Sequence, residues 1–345
     1  MNVTMSDIAA RAGTTTGVVS VTLNGAKSKT LRVSEATRER VLKAAEELGY
    51  RRDPRASALA TGRNFVIGLM LPHIHSFATA DPFYSVVTAG VAAVASRQGY
   101  NLMLYTSVAE EEGQRAAEKI DRRIDGLVLV IPPAETPIYE ECRAQGIAVV
   151  SITQRPDLAA MTVNSDDSTG ARLATQHLID LGHRRIAHLH GGMDICTSQL
   201  RREGFEKTMR DAGIEPADEL ILPGGFSRAI GYASTRELLR RKDRPTAIFA
   251  CNDLAAHGAI EGIREAGLRV PEDISVVGYD DTWYSNITNP PLTTVDMNID
   301  AIARRAAELL IVTIEGREEP LHLMLPVSLT VRQSTAQCPS ESPNP

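Results

Sequence analysis

Several features that would mark other protein classes are absent from this 345-residue sequence. It contains no run of about 18 apolar residues and no basic segment leading into an apolar core at its amino end, so a membrane or exported protein is not expected. Its four cysteines, Cys142, Cys196, Cys251 and Cys338, show no CxxC spacing, which argues against a zinc site or a disulfide framework. We therefore expect a cytoplasmic protein of two to three domains.

Motifs of several enzyme classes are also missing. There is no GxGxxG after a strand, no GxxxxGK[ST], no HExxH and no GxSxG, so nucleotide-binding, zinc-protease and serine-hydrolase interpretations lose their main support. His188 and His190 share one face of a predicted strand, and without a nearby Cys or carboxylate pattern we expect them to be packed or solvated rather than metal ligands. Asp166-Asp167 and Asp280-Asp281 could be catalytic carboxylates, but with no nucleophile or partner acid, binding is favoured. No metal or cofactor is expected.

The charges are unevenly distributed along the chain. Residues 1–64 contain 11 Lys and Arg against 6 Asp and Glu, whereas the rest contains 26 against 37. A basic amino-terminal part on an acidic body suits a protein that docks on a polyanion by one end. A merely solvated surface would not predict this segregation.

Residues 3–24 follow the pattern of two short helices joined by a tight turn. Gly13 lies where the chain must reverse, and Thr15 could cap the second helix. This is the helix-turn-helix pattern, whose second helix enters the DNA major groove. The apolar positions that would pack the two helices together are Ile8, Ala9, Ala12, Val19 and Leu23.

A third helix is predicted after Ser34, a good N-cap, and ends at Gly49. The loop 25–32 carries three cations that either contact phosphates or are simply solvated. Residues 51–62 then form a short basic stretch with Pro54 at the first turn of a further helix. The apolar stripe predicted for the third helix consists of Val41, Leu42, Ala45 and Leu48.

From residue 65 onward, short apolar runs alternate with helical segments. Eight runs have the continuous apolar character of strands buried on both faces: FVIGLMLP, YNLMLYT, DGLVLVIP, IAVVSIT, RRIAHLHG, ELILPG, TAIFACND and ISVVGYDD. Glycines are expected to end the helices before the next strand at Gly99, Gly146, Gly182, Gly213 and Gly267. This alternation predicts parallel, doubly wound sheets, and eight strands are better divided between two sheets than placed in one.

Taken together, these segments resemble the lac repressor (LacI/GalR) family of transcription regulators over about residues 3–335. The strongest resemblance lies in the amino-terminal part, in Asp7-Ile8-Ala9, Ala12-Gly13, Val19-Ser20, Leu23-Asn24, Val33-Ser34, Thr37-Arg38, Val41, Ala44-Ala45, Leu48-Gly49-Tyr50 and Ile67-Gly68. It continues more thinly through Ile186-Ala187, Asn252-Asp253, Val276-Val277-Gly278-Tyr279-Asp280-Asp281 and Pro291-Leu292-Thr293-Thr294.

The resemblance implies a helix-turn-helix DNA-binding domain (1–52), a hinge helix or linker (53–64) and an effector-binding domain (65–335). The last comprises two doubly wound parallel α/β subdomains of the periplasmic-binding-protein type, with ligand in the cleft at the carboxyl ends of the strands. We expect the first subdomain to hold 65–164 and 293–325, and the second 165–292 and 326–335. The chain would cross near Asn164, Pro291 and Pro326, and residues 336–345 would be a disordered tail.

Residue by residue, the resemblance also predicts an effector site. Arg201 matches an arginine that reaches ligand hydroxyls or a carboxylate, and Asp280 matches an acid that accepts from sugar hydroxyls or a base edge. Thr153 stands where many sugar-binding members carry Asp, and residues 73–80 lengthen one cleft wall, so the ligand need not be a simple neutral hexose. The predicted effector residues are Phe83, Tyr84, Thr153, Arg201, Phe226, Asn252 and Asp280.

At the DNA end, the residue that is often Arg in relatives is Val21, which offers only apolar contact, such as to a thymine methyl group. The operator should therefore differ from the commonest family sites, while Ser20 and Asn24 remain as phosphate contacts. The predicted DNA-binding residues are Ser6, Thr15, Thr16, Gly17, Ser20, Val21, Asn24, Ala56 and Leu59.

The interpretation is a non-enzymatic, DNA-binding transcriptional regulator of the repressor type. It would act as a homodimer on a palindromic double-stranded operator, under the control of a sugar, a sugar acid or a similar small effector. The alternative is a solute-binding protein or a sugar-modifying α/β enzyme with an accessory helical domain. The absent export signal opposes the first, the absent catalytic motifs oppose the second, and the basic amino-terminal part opposes both.

The resemblance places Leu59 at the position of a leucine that wedges into the minor groove at the operator centre. Apolar wedges unstack a base step and kink the duplex. We therefore expect Leu59→Ala to weaken specific operator binding and reduce DNA bending in gel-shift and circular-permutation assays. Weak non-specific binding should keep its salt dependence, because that comes from phosphate contacts. Equal affinity and equal bend angle in the two proteins would mean that the segment is only a linker.

Overall fold

The computed structural model describes residues 3–24, 33–50, 62–71, 81–106, 120–132, 136–155, 157, 161–317 and 320–339. The chain forms two compact units, Met1–Phe65 and Val66–Pro345. Each unit has a hydrophobic core of its own.

The first unit contains helices α1 (Met5–Ala12), α2 (Thr16–Asn24) and α3 (Glu35–Glu47). Thr4 and Asp7 form a capping box at α1, and Gly13 ends that helix with φ of 62°. Ser34 caps α3 as predicted, through the Thr37 N–H. The core is built from Ile8, Ala9, Ala12, Val19, Val41, Ala44 and Ala45. The prediction for Leu42 was wrong: its side chain is 48% exposed, because Ala44 takes the inward position in that turn.

The second unit contains two six-stranded sheets. In the first sheet the strand order is β11-β5-β4-β3-β1-β2, and all neighbours run parallel. Its strands are β1 (Val66–Leu71), β2 (Asn101–Thr106), β3 (Gly126–Val130), β4 (Ala148–Ile152), β5 (Thr162–Ser165) and β11 (His322–Leu325).

The second sheet has the order β12-β10-β9-β8-β6-β7 and is parallel except for the β10–β12 pair. Its strands are β6 (Ile186–His190), β7 (Ile221–Pro223), β8 (Ala247–Ala250), β9 (Ser275–Asp280), β10 (Thr293–Asp296) and β12 (Ser328–Thr330). All eight predicted strands are present, and four further ones, β5, β10, β11 and β12, were not predicted.

Seven helices cover the sheets in the described part of the second unit. They are α4 (Pro82–Arg97), α5 (Ile138–Gln145), α6 (Asp167–Asp180), α7 (Cys196–Asp211), α8 (Arg228–Leu239), α9 (Asp253–Glu265) and α10 (Ile299–Ile314). The five helix-ending glycines predicted from the sequence all have positive φ. No described helix is both long and apolar enough to cross a membrane.

The sheet assignments correct one of the expected subdomain boundaries. Residues 293–296 were expected in the first subdomain, but β10 pairs with β9 in the second sheet. The chain returns to the first sheet's side only after Met297, and α10 then packs on α4. The crossing that the resemblance implied near Pro291 therefore lies later in the chain, because Pro291 belongs to the loop that leads into β10.

Residues 336–339 were expected to begin a disordered tail, and this was also wrong. The Ala336 N–H donates to Ser275 Oγ (3.1 Å), and the Cys338 N–H donates to the Leu181 carbonyl (2.8 Å). His183, fully buried, accepts or donates hydrogen bonds with Thr246, Ser275 and the Ala336 carbonyl. The segment is therefore attached to the second sheet despite its low apolar content. Residues 340–345 lie outside the described part.

His188, on β6, lies in the core between the rings of Phe205 and Phe249, with centroids 5.0 and 4.9 Å away. Its Nδ1 shares a hydrogen bond with the Phe249 carbonyl (3.0 Å), whereas no described residue pairs with Nε2. Burial lowers the pKa of His188 to about 3. The histidine is therefore a neutral packing residue, as the sequence predicted.

This packing predicts a pH-dependent stability. Since the folded pKa of His188 lies below the unfolded value of about 6.5, its contribution to stability is fully present above that pH and is lost as the pH falls toward 3. Between pH 6 and 4.5, in denaturant titrations, His188→Phe should reduce the pH slope of the unfolding free energy by up to about 1.4 kcal/mol per pH unit. Above pH 7 the two curves should run parallel. Identical slopes at acidic pH would contradict the assignment.

Candidate functional site

One wall of the predicted site is formed by the start of α4 on the first sheet's side. Asp81 caps this helix, with its Oδ1 accepting from the Phe83 N–H (3.0 Å). Phe83 and Tyr84 are buried, and their rings meet edge-to-face with centroids 5.2 Å apart. Burial, reinforced by Asp81 and Asp280, raises the pKa of Tyr84, so its hydroxyl remains protonated. The contribution of Asp280, at the end of β9, indicates that Tyr84 lies within electrostatic range of the second sheet.

Asp280 supplies the opposite wall, at the carboxyl end of β9. It is buried and has φ of 115°, a strained backbone conformation for a residue with a side chain. Burial raises its pKa well above the ordinary value; Arg201 opposes this, while Asp253, Asp81 and Asp167 add to it. The carboxyl group is therefore close to charged residues of both walls. Burial likewise raises the pKa of Asp81 to about 6.

Arg201, on α7, is the most heavily engaged side chain of the site. Its Nε donates to Asp167 Oδ1 (2.8 Å), and its Nη1 donates to the Cys251 carbonyl (2.5 Å). Its Nη2 contacts the sulfur of Met297 at 3.8 Å, and its Cζ lies 3.6 Å from the ring centroid of Tyr279. Burial alone would lower the pKa of the guanidinium, but the surrounding carboxylates raise it, so Arg201 remains cationic.

The separation between Arg201 and Asp280 differs from that of a direct hydrogen bond. Nη1 lies 3.8 Å from Asp280 Oδ1, too far for a good N–H···O contact, although both side chains are more than nine-tenths buried. The two predicted residues are thus brought together but do not satisfy each other. A small polar group placed between them would contact both.

Two residues of this arrangement, Asp167 and Tyr279, were missed as site residues by sequence reasoning. Asp167 was considered only as a possible catalytic acid, because the polar strand β5 that leads to it was not predicted. Tyr279 packs its hydroxyl against α6 at Gly170, where a Cβ would lie 2.1 Å from that oxygen. The glycine therefore leaves room for the ring beneath Arg201, and an aromatic residue just before Asp280 was the available signal.

Asn252 and Phe226 lie together on the second sheet's side. Asn252 caps α9 by accepting from the Ala255 N–H (2.9 Å), and its Nδ2 donates to the Phe226 carbonyl at 3.5 Å. Phe226 has φ of 51°, and its ring covers Gly191 at the end of β6. Asn252 therefore has a structural function in this loop, and its role toward an effector stays a prediction.

Thr153, on the first sheet, is the predicted residue with the weakest connection to this site. It is buried at the end of β4 with φ of 62°, and its hydroxyl donates to the Ile152 carbonyl (2.6 Å). No hydrogen bond joins it to the other six predicted effector residues within the described chain. Its hydroxyl is therefore already engaged.

Asp253, which follows Asn252, is a buried acid that holds the fold together. It accepts from the Thr294 hydroxyl (2.6 Å) and from the Thr282 N–H (3.1 Å), which ties α9 to β10 and to the end of β9. Burial raises its pKa to about 7. No group of three or more His, Cys, Asp or Glu suited to a metal ion occurs among the described residues.

In the first unit, α2 presents the predicted DNA-binding residues away from the helical core. Thr15, Thr16 and Gly17 are exposed, and Ser20 and Val21 are half-buried. Thr15 Oγ1 accepts from the Val18 N–H at 3.4 Å, in agreement with its predicted capping role. Ser6 is exposed on α1 and Asn24 is the last residue of α2. Ala56, Leu59 and the loop 73–80 lie outside the described residues.

Comparison with known proteins shows which family the chain resembles. Residues 4–53 match the family described as bacterial regulatory proteins, lacI family, and residues 175–335 match the periplasmic binding protein-like domain. The HTH-type transcriptional regulator CelR of Thermobifida fusca is 34% identical over 336 residues, covering 96% of this chain and 98% of the relative.

Solved structures show the same relationship. A complex of the regulator CelR with cellobiose has 33% identity and a TM-score of 0.75, and covers 96% of this chain and 100% of that one. A lac repressor dimer bound to operator and the anti-inducer ONPF has 28% identity and a TM-score of 0.82, over 97% and 100%. These matches support the regulator and not the solute-binding or enzyme alternative. The chain belongs to the lacI family of bacterial regulatory proteins and is a DNA-binding transcriptional regulator, not an enzyme.

Proposed function

We propose that this regulator is a homodimeric repressor that binds a palindromic DNA operator in the cytoplasm and is controlled by an uncharged, hydroxylated effector of carbohydrate type. The relative CelR was solved with cellobiose, and the lac repressor dimer with operator. The effector would bind between the two sheets of the second unit, against Tyr84 on one side and Arg201 and Asp280 on the other.

The observation that carries this proposal is the 3.8 Å separation between Arg201 Nη1 and Asp280 Oδ1. One hydroxyl oxygen at about 2.8 Å from each atom would accept from the guanidinium and donate to the Asp280 carboxyl oxygen. A hydroxyl group can donate and accept at the same time, whereas a group that only donates or only accepts cannot contact both atoms in this way. The aromatic rings of Phe83, Tyr84 and Phe226 would supply the apolar walls usual in small-molecule sites.

Coupling to DNA would follow from what Arg201 contacts. Asp167 begins α6 just after the chain first crosses between the sheets, and Met297 lies just before it crosses again. Both touch the same guanidinium. An effector that changes the position of Arg201 would therefore favour one relative arrangement of the two sheets, and through that shift the affinity for operator.

For DNA, the support is the basic amino-terminal part and the solvent-facing residues of α2. Thr16, Gly17, Ser20 and Val21 lie on the side of the helix that the core residue Val19 does not use. Hydroxyls and backbone N–H groups at the start of such a helix suit phosphate oxygens. Val21 would contact a thymine methyl group at a base position.

For the dimer, the support is an apolar patch at the 3-10 turn Trp283–Asn286. Trp283 is 56% exposed and Ile287 is 64% exposed. The turn is held in place, since Tyr284 contacts the Trp283 ring and forms a 2.7 Å hydrogen bond with His257 on α9. A large apolar surface on an ordered turn fits burial against a second copy of the chain.

The effector site is tested by Asp280→Asn. Neutral sugars that raise the melting temperature of the wild type in a thermal-shift screen should bind the variant about 10- to 100-fold more weakly, in line with ~1.5–3 kcal/mol for a hydrogen bond to a charged group. Isothermal calorimetry would measure the affinity, and a gel shift without effector should show unchanged operator binding. Asp211→Asn, at the exposed end of α7, is the control. Unchanged sugar affinity in Asp280→Asn would rule out this site.

The dimer surface is tested by Ile287→Glu. A buried carboxylate facing an apolar partner should raise the dimer dissociation constant at least ~10-fold, or ~1.4 kcal/mol, as measured by light scattering over a dilution series. Leu321→Glu is the matched control, because Leu321 is similarly exposed (55%) but precedes β11 in the first sheet. A dimer of wild-type stability in Ile287→Glu would place the interface elsewhere.

A further inference from the structure

The charges around the effector site are unbalanced. After burial itself, the groups that most affect the pKa of Asp280 are one cation, Arg201, whose Nη1 lies 3.8 Å from Asp280 Oδ1, and three acids, Asp253, Asp81 and Asp167. The two carboxyl oxygens of Asp253 already accept hydrogen bonds from Thr294 and Thr282. Asp81 belongs to the opposite wall, at the start of α4. The site therefore contains more acidic than basic groups.

The one cation is already neutralised within the protein. Arg201 Nε and Asp167 Oδ1 form a 2.8 Å ion pair in which the side chains are 4% and 3% exposed. Among the five N–H groups of the guanidinium, three are directed to Asp167, to the Cys251 carbonyl and to the Met297 sulfur. Two N–H groups of Arg201 remain to donate to a ligand. The positive charge of the guanidinium is already matched by Asp167, so it does not call for a charged ligand.

An arginine in a binding site ordinarily favours anions, because its fork pairs with a carboxylate or phosphate. In this site the carboxylate that pairs with the arginine is already supplied by Asp167. A sugar acid entering the site would bring a further carboxylate beside Asp280 and Asp81. Among the described groups that most affect Asp280, the only cation is Arg201, which is already paired with Asp167, and burying an unpaired charge is costly. A neutral hydroxyl meets no such penalty.

We propose that Asp167 determines effector specificity: by neutralising Arg201 it makes the site accept neutral hydroxylated ligands and reject their carboxylate and phosphate counterparts. The inference rests on the proposed effector site. Asp167 acts through Arg201 and does not itself contact the ligand, so it is a positioning residue. Removing its charge while keeping its shape should convert Arg201 into an anion-binding group.

The test is Asp167→Asn, which keeps an oxygen to accept from Arg201 Nε. The probes are neutral sugars with their acids: glucose with glucuronate, galactose with galacturonate, and cellobiose with cellobionate. In the wild type, the acids should bind at least ~10-fold more weakly than the neutral sugars, by thermal shift and calorimetry at constant ionic strength. In Asp167→Asn, the acids should gain at least ~10-fold in affinity, equal to ~1.4 kcal/mol, with little change for the neutral sugars.

The matched control is Asp166→Asn. It removes the same charge one residue earlier, where the side chain caps α6 by accepting from the Thr169 N–H (3.0 Å), and Asn caps a helix equally well. This variant should discriminate against acids as the wild type does. Asp167→Glu, which retains the charge, should also keep rejecting acids and so separates charge from packing.

Two results would overturn the inference: wild type binding the acids as tightly as the neutral sugars, or Asp167→Asn gaining no more acid affinity than Asp166→Asn. If Asp167→Asn does not fold, wild-type protein that binds the acids as tightly as the neutral sugars would still overturn the inference. A wrong effector class would give a different result from a wrong role for Asp167. No neutral sugar would then stabilise the wild type, whereas Asp167→Asn would still gain affinity for the acids.

Discussion

A guanidinium removed from water needs partners for its charge and for its hydrogens, and Arg201 finds them on four separate segments. They are the start of α6, the end of β8, the end of β9 and the connection that leads to α10. The arginine therefore fixes the mutual position of elements that are distant in the sequence. Loss of its side chain would leave the buried Asp167 carboxylate without its cationic partner, which typically costs about 3–5 kcal/mol. Under the proposed function, the Arg201 side chain would serve both effector binding and folding.

Much of the architecture could be predicted because it depends on local patterns. Strands buried on both faces, such as β3 and β9, appear as unbroken apolar runs, and helix ends with Gly at positive φ are visible as single residues. The strands that were missed lack this signal: β5 reads TVNS, and β11 and β12 are edge strands with exposed positions. β11 pairs with β5 and β12 pairs with β10, in both cases across a long stretch of sequence, so no local pattern reports these pairs.

The site was predictable in its residue types but not in its charge balance. Arg201 and Asp280 followed from the family resemblance, and the structure brings them to 3.8 Å. That Asp167 occupies the Nε edge of the guanidinium depends on where β5 ends relative to α7, which is a tertiary property. The same holds for Thr153, whose hydroxyl is engaged by its neighbour's carbonyl only because of a positive φ.

The attachment of residues 331–339 to the second sheet has a consequence for synthesis of the chain. The Gln333 N–H donates to the Pro291 carbonyl, the Ser334 hydroxyl donates to the Val276 carbonyl, and the Cys338 N–H donates to the Leu181 carbonyl. Neither sheet is complete before its last strand, β11 or β12, has emerged from the ribosome. The three-helix amino-terminal unit, by contrast, has a core built within residues 3–50 and can fold as soon as those residues are exposed. The nascent protein therefore has a folded DNA-binding part well before it has any means of sensing an effector.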